Sequence, residues 1–283
     1  MKIKSVSVAL AALTGTVALC AACAAGPQQN GAPAGSPAAQ PATQPASAPS
    51  GPKPTIVLLH GAFEDASSWN KVTRQLQAEG YPVLAPAVPL RGVASDTAAL
   101  QGVVDAVRGP KVLVGHSYGG VLVSELASRT PDVTALVYAA AFIPQAGETA
   151  GQLNSRFPGS LIGPTTTHTV PSPDGPQVYV NPASFQELFA AGGDPAEAAV
   201  EAASQRPIAA AAFDEKIAST APATIRKFAI VATGDKAIAP AAERFEAQRA
   251  GAVITEVASP HTVPSADPQA VVDVIHRAAG ATQ

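Results

Sequence analysis

Lys111-Val112-Leu113-Val114-Gly115-His116-Ser117-Tyr118-Gly119-Gly120 is the stretch that decides the fold. Its first four residues read as a buried strand, and an apolar helical pattern follows the glycines as far as Arg129. Gly-x-Ser-x-Gly between a strand and a helix is a nucleophile elbow, a strained turn that lifts a serine hydroxyl clear of the backbone. Side chains at Gly115 and Gly119 would collide with the neighbouring helix and strand, so both positions demand glycine. The turn also aims the N–H of Tyr118 at a reacting carbonyl, and the helix N-terminus adds positive potential where an oxyanion forms.

Outward from the elbow, short apolar runs alternate with helical patterns. Strands are expected at Thr55–Leu59, Pro82–Pro86, Lys111–Gly115, Thr134–Ala140, Phe228–Thr233 and Ala252–Val257. Their near-continuous apolar character fits strands covered on both faces of a parallel sheet. Helices are expected at Ser68–Glu79, Asp96–Val107, Tyr118–Arg129, Pro240–Ala250 and Pro268–Ala278, the last capped by Asp267 with Pro268 at its first position. This order specifies an α/β fold with a parallel sheet. One interval, about 144–224, breaks the alternation. It is rich in proline and carries helical stretches at Ser184–Ala191 and Pro195–Ser204, and a long insertion at one sheet position reads as a lid. Phe185 and Phe189 share a face of the first of these helices, either lining a substrate pocket or gluing the lid to the body.

A serine at neutral pH needs a base. Of the five histidines, His116 lies inside the elbow and faces away, His276 sits in the last helix beside Asp273, and His168 falls in the lid as a minor candidate. His60 opens the turn after the first strand. His261 directly follows the last strand, at the C-terminal edge where parallel α/β proteins place their sites, and is the expected base. Asp235, in Thr233-Gly234-Asp235-Lys236 after the fifth strand, is the expected acid that holds the imidazole; Asp214 and Glu215 are rivals in lid-like sequence. A second oxyanion donor belongs in the loop after the first strand, His60-Gly61-Ala62-Phe63, where Gly61 permits a tight turn and Ala62 presents its N–H. Phe63, Glu64 and Asp65 would rim the pocket, and Trp69 is core.

The chain order Ser117, Asp235, His261 matches α/β-hydrolases. With the His60-Gly61-Ala62-Phe63 loop, Ser68-Trp69, the Gly-His-Ser-Tyr-Gly-Gly elbow, Tyr138-Ala-Ala-Ala-Phe142, Thr233-Gly-Asp235 and Ser259-Pro-His261, residues 53–283 resemble the small esterases grouped with plant methylesterases and hydroxynitrile lyases. The resemblance implies a triad of Ser117, Asp235 and His261 with oxyanion donors at Ala62 and Tyr118. Pro264 departs from the relatives' pattern. Their antiparallel leading strands have no room ahead of Thr55, which leaves a sheet of about six strands, wholly parallel.

The 283-residue composition is uneven. No charged residue lies between Lys4 and Lys53, and all 21 acidic residues lie beyond that gap. Lys2 and Lys4, the apolar run Val6–Leu19 and the small residues after it read as a signal peptide over 1–22. Leu19-Cys20-Ala21-Ala22-Cys23 resembles a bacterial lipobox with Cys23 acylated, which implies a cell-envelope lipoprotein held to the membrane by that anchor; cleavage after Ala24 or Ala25 would instead give a secreted or periplasmic protein. Residues 23–52, filled with Pro, Ala, Gln, Gly and Ser, read as an unfolded linker. A net charge of −3 excludes a nucleic-acid-binding class, and no metal cluster, dinucleotide fingerprint or P-loop is present, so no cofactor is expected. The expected function is a serine carboxylic ester hydrolase acting through an acyl-enzyme on a small ester. The alternatives are hydroxynitrile-lyase-like or perhydrolase-like chemistry on the same fold, and a non-catalytic envelope binder of small molecules.

Overall fold

The computed structural model describes residues 52–280. The signal peptide, the linker and Cys23 therefore lie outside the described residues, apart from Pro52. In chain order the elements are β1 (Thr55–Leu59), α1 (Asn70–Ala78), β2 (Val83–Leu84), α2 (Val93–Asp105), β3 (Lys111–Ser117), α3 (Gly119–Ala127), β4 (Val133–Ala141), α4 (Ala150–Ser155), β5 (Thr167–Val170), β6 (Gln177–Val180), α5 (Pro182–Phe189), α6 (Pro195–Ser204), β7 (Ile208–Ala209), β8 (Arg226–Ala232), α7 (Pro240–Arg249), β9 (Val253–Val257), α8 (Val263–Ala266) and α9 (Pro268–Gly280). Short 3-10 turns at Ala66–Trp69 and Ala210–Phe213 precede α1 and follow β7.

Six strands form one parallel sheet in the order β2-β1-β3-β4-β8-β9. The pleat sends alternate residues to opposite faces. Val57, Leu59 and Leu113 join a core with α2, α3, α7 and the lid, whereas Ile56, Leu58, Val112 and Val114 join a second core with Trp69, α1 and α9. Burial on both faces is why these strands read as unbroken apolar runs. Strand β3 is the extreme case, with all seven residues buried. Trp69 is fully buried.

The insertion after β4 carries more β-structure than its sequence suggests. Of its three helices, α5 and α6 match the helical stretches expected there and the six-residue α4 was not expected, while β5 and β6 form an antiparallel hairpin and β7 pairs with β6 in a separate three-stranded sheet. The strands are only two to four residues long and sit between prolines, too short for a readable alternation. Glu215, a sequence rival for the acid, is instead a cap: its carboxylate accepts from the N–H groups of Val93 (2.7 Å) and Ala94 (2.9 Å) at the start of α2.

Candidate active site

The elbow owes its shape to four contacts that only hydrogen permits. A Cβ at Gly115 would lie 2.4 Å from the Gly119 carbonyl oxygen, one at Gly119 2.4 Å from that of Leu59, and one at Gly120 2.3 Å from that of Phe142. At Gly61 it would lie 2.7 Å from Ser117 Cβ, so the loop after β1 presses directly on the serine. Ser117 itself has φ +52°, a left-handed conformation costly for a side-chain-bearing residue and typical of a functional turn. Beside it, β4 carries an extra residue. The register shifts so that Ser117 faces Ala141, and Ala140 takes φ +44°.

Tyr118 forms the N-cap of α3, and its side chain is buried. The phenol donates to Asp96 Oδ2 at 3.0 Å, and Arg91 N–H donates to Oδ1 at 2.9 Å. Burial raises the pKa of both the phenol and the Asp96 carboxyl. Anchored this way, Tyr118 leaves its backbone N–H at the helix N-terminus beside Ser117. Phe63, with φ +64°, closes the loop that carries Ala62 on the other side. His60 is a strut of that loop: Val88 N–H donates to its Nε2 (2.9 Å), its Nδ1 faces the Gly61 carbonyl (2.9 Å), and burial lowers its pKa.

His261 is buried in the loop after β9, and its Nδ1 lies 2.5 Å from Asp235 Oδ2. An imidazole nitrogen this close to a carboxylate carries the proton, which leaves Nε2 as the basic nitrogen. Nε2 is buried and has no hydrogen-bond partner among the described residues. The other Asp235 oxygen, Oδ1, accepts from Ala237 N–H (2.7 Å) and Ile238 N–H (2.8 Å), so both carboxylate oxygens are fixed. Lys236 does not pair with Asp235; its ammonium faces Glu187 at 3.6 Å. Behind Asp235 stands Glu243, a buried acid missed at the sequence level. Its Oε2 accepts from Ala232 N–H at 3.1 Å, and burial with the Asp235 charge beside it pushes its pKa well up.

An aromatic cluster roofs the histidine. Phe189 meets the His261 ring edge-on at 5.0 Å between centroids, Phe63 meets Phe189 at 5.8 Å, and Phe213 stacks on Phe63 at 6.4 Å. Phe185 stacks behind Phe189 at 4.9 Å. The cluster is therefore both glue and roof: Phe189 touches the histidine and Phe185 supports it. Thr262 pins the end of α5 by donating its N–H and its hydroxyl to the Phe189 carbonyl. Behind Phe213, Gly151, Asn154, Phe157 and Ile162 border a cavity of about 350 Å³.

The remaining candidates disperse. Phe63, Glu64 and Asp65 border a small cavity of about 80 Å³ together with Ser67, Ser68 and Glu201, and Glu64 is at the same time buried against His116, which supplies a hydrogen-bond partner to its carboxylate. Asp65 caps the 3-10 turn through Ser67 N–H at 2.7 Å. His168 lies on the exposed hairpin, bonded to Asn181 and stacked on Tyr179, and His276 pairs with Glu79 rather than Asp273. Among the described residues, no cluster of His, Cys, Asp or Glu is arranged to hold a metal ion.

Residues 56–274 match the profile of the alpha/beta hydrolase family. The chain belongs to that family. Among curated relatives of this alpha/beta hydrolase, a carbendazim hydrolyzing esterase of Nocardioides sp. is 30% identical over 105 residues, covering 32% of this chain and 43% of its own. A pyrethroid hydrolase of Sphingobium wenxiniae is 33% identical over 108 residues, covering 33% of this chain and 38% of its own. The chain thus matches about two fifths of the length of either relative. Among solved structures, tomato methylketone synthase I with 2-tridecanone superposes with a TM-score of 0.70 at 18% identity, over 82% of this chain and 99% of that one. At that identity the likeness is one of fold.

Proposed function

We propose that this alpha/beta hydrolase is a serine carboxylic ester hydrolase. The observation that carries the reading is His261, whose Nδ1 is committed to Asp235 while its buried Nε2 is committed to no partner among the described residues. Ser117 attacks the ester carbonyl as Nε2 takes its proton. The carbonyl oxygen becomes an oxyanion held by the N–H groups of Ala62 and Tyr118, each worth about 3 kcal/mol of barrier. His261 returns the proton to the leaving alcohol, and water then cleaves the acyl-enzyme by the same steps in reverse. Asp235 orients the imidazole and stabilises its cation. The names of the two curated relatives, both hydrolases and one an esterase, support ester cleavage, and the Phe63–Phe189–Phe213 roof favours an apolar substrate.

A fluorophosphonate should label the wild-type chain and not Ser117→Ala, and only the former should hydrolyse p-nitrophenyl acetate. A folded wild type that is neither labelled nor active overturns the reading. Hydroxynitrile-lyase chemistry would favour a lysine beside the base; Thr262 stands after His261, and Lys236 faces Glu187. The chain would reach this substrate outside the cytoplasm, exported on residues 1–22 and anchored through Cys23. Incorporation of labelled palmitate that is lost in Cys23→Ala tests the anchor.

A further inference from the structure

Glu64 and His116 are two buried titratable groups next to the nucleophile that the proposed chemistry leaves unused. Glu64 sits at the end of the loop carrying Ala62, and His116 immediately precedes Ser117 on β3. His116 Nδ1–H donates to Glu64 Oε2 at 2.8 Å. On the other side of the ring, Nε2–H donates to the backbone carbonyl of His261 at 2.9 Å. Gly61 N–H also reaches Glu64 Oε2, at 3.4 Å. With an acceptor at each nitrogen, the ring is satisfied as an imidazolium against a carboxylate. The mutual shifts agree: burial opposes charging both groups, yet the carboxylate raises His116 and the imidazole lowers Glu64. Other groups facing the pair are His60 at the end of β1, Asp235 after β8, His261 after β9 and Glu201 on α6. The rings of His116 and His261 lie 4.7 Å apart, and Trp69 closes the far edge of His116 at 6.4 Å.

We propose that Glu64 and His116 form a positioning pair that ties the oxyanion loop, the nucleophile strand and the backbone of the general base to one imidazole. The proposal rests on the reading of Ser117, His261 and Asp235 as the triad. Asp235 fixes the ring of His261 at Nδ1, but the loop bearing that ring follows a different strand from Ser117 and could slide relative to it. The bond from His116 to the His261 carbonyl joins base and nucleophile through adjacent residues, and the bond to Glu64 brings the Ala62 loop into the same frame. Misplacing reacting groups by about 1 Å costs on the order of 100-fold in rate, so a device that sets mutual register acts on kcat.

The variants Glu64→Gln, Glu64→Asp and Glu64→Ala separate reach from charge. Each is checked for cooperative melting, and kcat and KM for p-nitrophenyl acetate are expressed per fluorophosphonate-labelled site. Glutamine keeps the reach and can donate to Nδ1 of a neutral His116, so its kcat should stay within about 5-fold of wild type. Aspartate keeps the charge but falls short by one methylene, and alanine leaves His116 unpartnered. Both should lose about 20–100-fold in kcat, with KM within about 3-fold and labelling of Ser117 slowed in parallel. The proposal is overturned if folded Asp and Ala variants keep kcat within about 2-fold, if the loss falls on KM instead, or if Gln falls as far as Ala. Should Glu64→Ala not fold, the Asp–Gln comparison decides. Failure of either of those to fold also overturns it, because the pair would then be holding the fold rather than the register. A wild type that resists labelling sinks the serine hydrolase reading itself, whereas a labelled wild type with indifferent Glu64 variants sinks only the pair.

Discussion

Replacing Glu246 by glutamine should remove a pH-dependent weakness from the fold. Glu246 lies on α7, is 1% exposed, and its Oε2 accepts from Ile143 N–H at 2.6 Å. The nearest guanidinium, Arg249, is occupied by Glu148 (2.6 and 2.8 Å) and by the Ile143 carbonyl (3.1 Å). Burial therefore dominates and pushes the Glu246 carboxyl up to about 8 from 4.5. With the folded pKa above the unfolded one, this group's stabilisation is fully present below pH 4.5 and is lost as pH rises through 8. The slope is about 1.4 kcal/mol per pH unit, so the whole window is worth on the order of 5 kcal/mol, and about 3 if the shift is one unit smaller. Glutamine mimics the protonated acid and cannot ionise. Urea unfolding of both chains from pH 5 to 9 should show near-equal stability at pH 5 and a gap widening in favour of Glu246→Gln by about 3–5 kcal/mol above pH 8. Taking the difference at each pH cancels groups that do not feel Glu246, such as Asp96, which shifts the same way. A gap that does not change with pH, or a variant weaker than wild type at pH 9, would refute the argument that Glu246 is protonated in the folded chain.

Three further outcomes follow from individual contacts. Asp235→Asn should lower kcat by about 10⁴ without unfolding the chain. The Ala237 and Ile238 amides will hold the new carbonyl oxygen, so the NH₂ group faces His261 Nδ1 and forces the proton onto Nε2; pre-steady-state acylation reads this out. Gly119→Ala places a methyl 2.4 Å from the Leu59 carbonyl and should abolish fluorophosphonate labelling in whatever fraction remains soluble. Glu215→Ala removes the acceptor for two N–H groups at the start of α2 and should cost about 1–2 kcal/mol in denaturant unfolding, while kcat per labelled site stays as in wild type.

The parallel sheet and the elbow were legible because their signals are local. A strand buried on both faces must be apolar at nearly every position, so β1, β3 and β4 announce themselves within a few residues. The turn around Ser117 needs glycine at 115 and 119 within one five-residue window, and Asp235 and His261 each directly follow an apolar strand. The insertion between β4 and β8 was less legible. Its helices beginning at Pro182 and Pro195 were readable, but the six-residue α4 was not, and β5, β6 and β7 are stabilised by pairing with each other, which no run of two to four residues encodes.

By itself, then, the sequence determined the strand–helix order, the sheet's parallel sense and which serine, acid and histidine stand at strand ends. Only the tertiary structure decided which buried charges meet. Glu64 finds His116 52 residues away, Glu215 finds the start of α2 more than 120 residues upstream, and Phe189 comes to rest on His261 from a different part of the chain. The physical reason is one of range. Backbone conformation and apolar periodicity act over a few residues, whereas the partner that satisfies a buried carboxylate or covers a ring is whichever group the packed fold brings within about 3–5 Å, and local sequence carries no record of it.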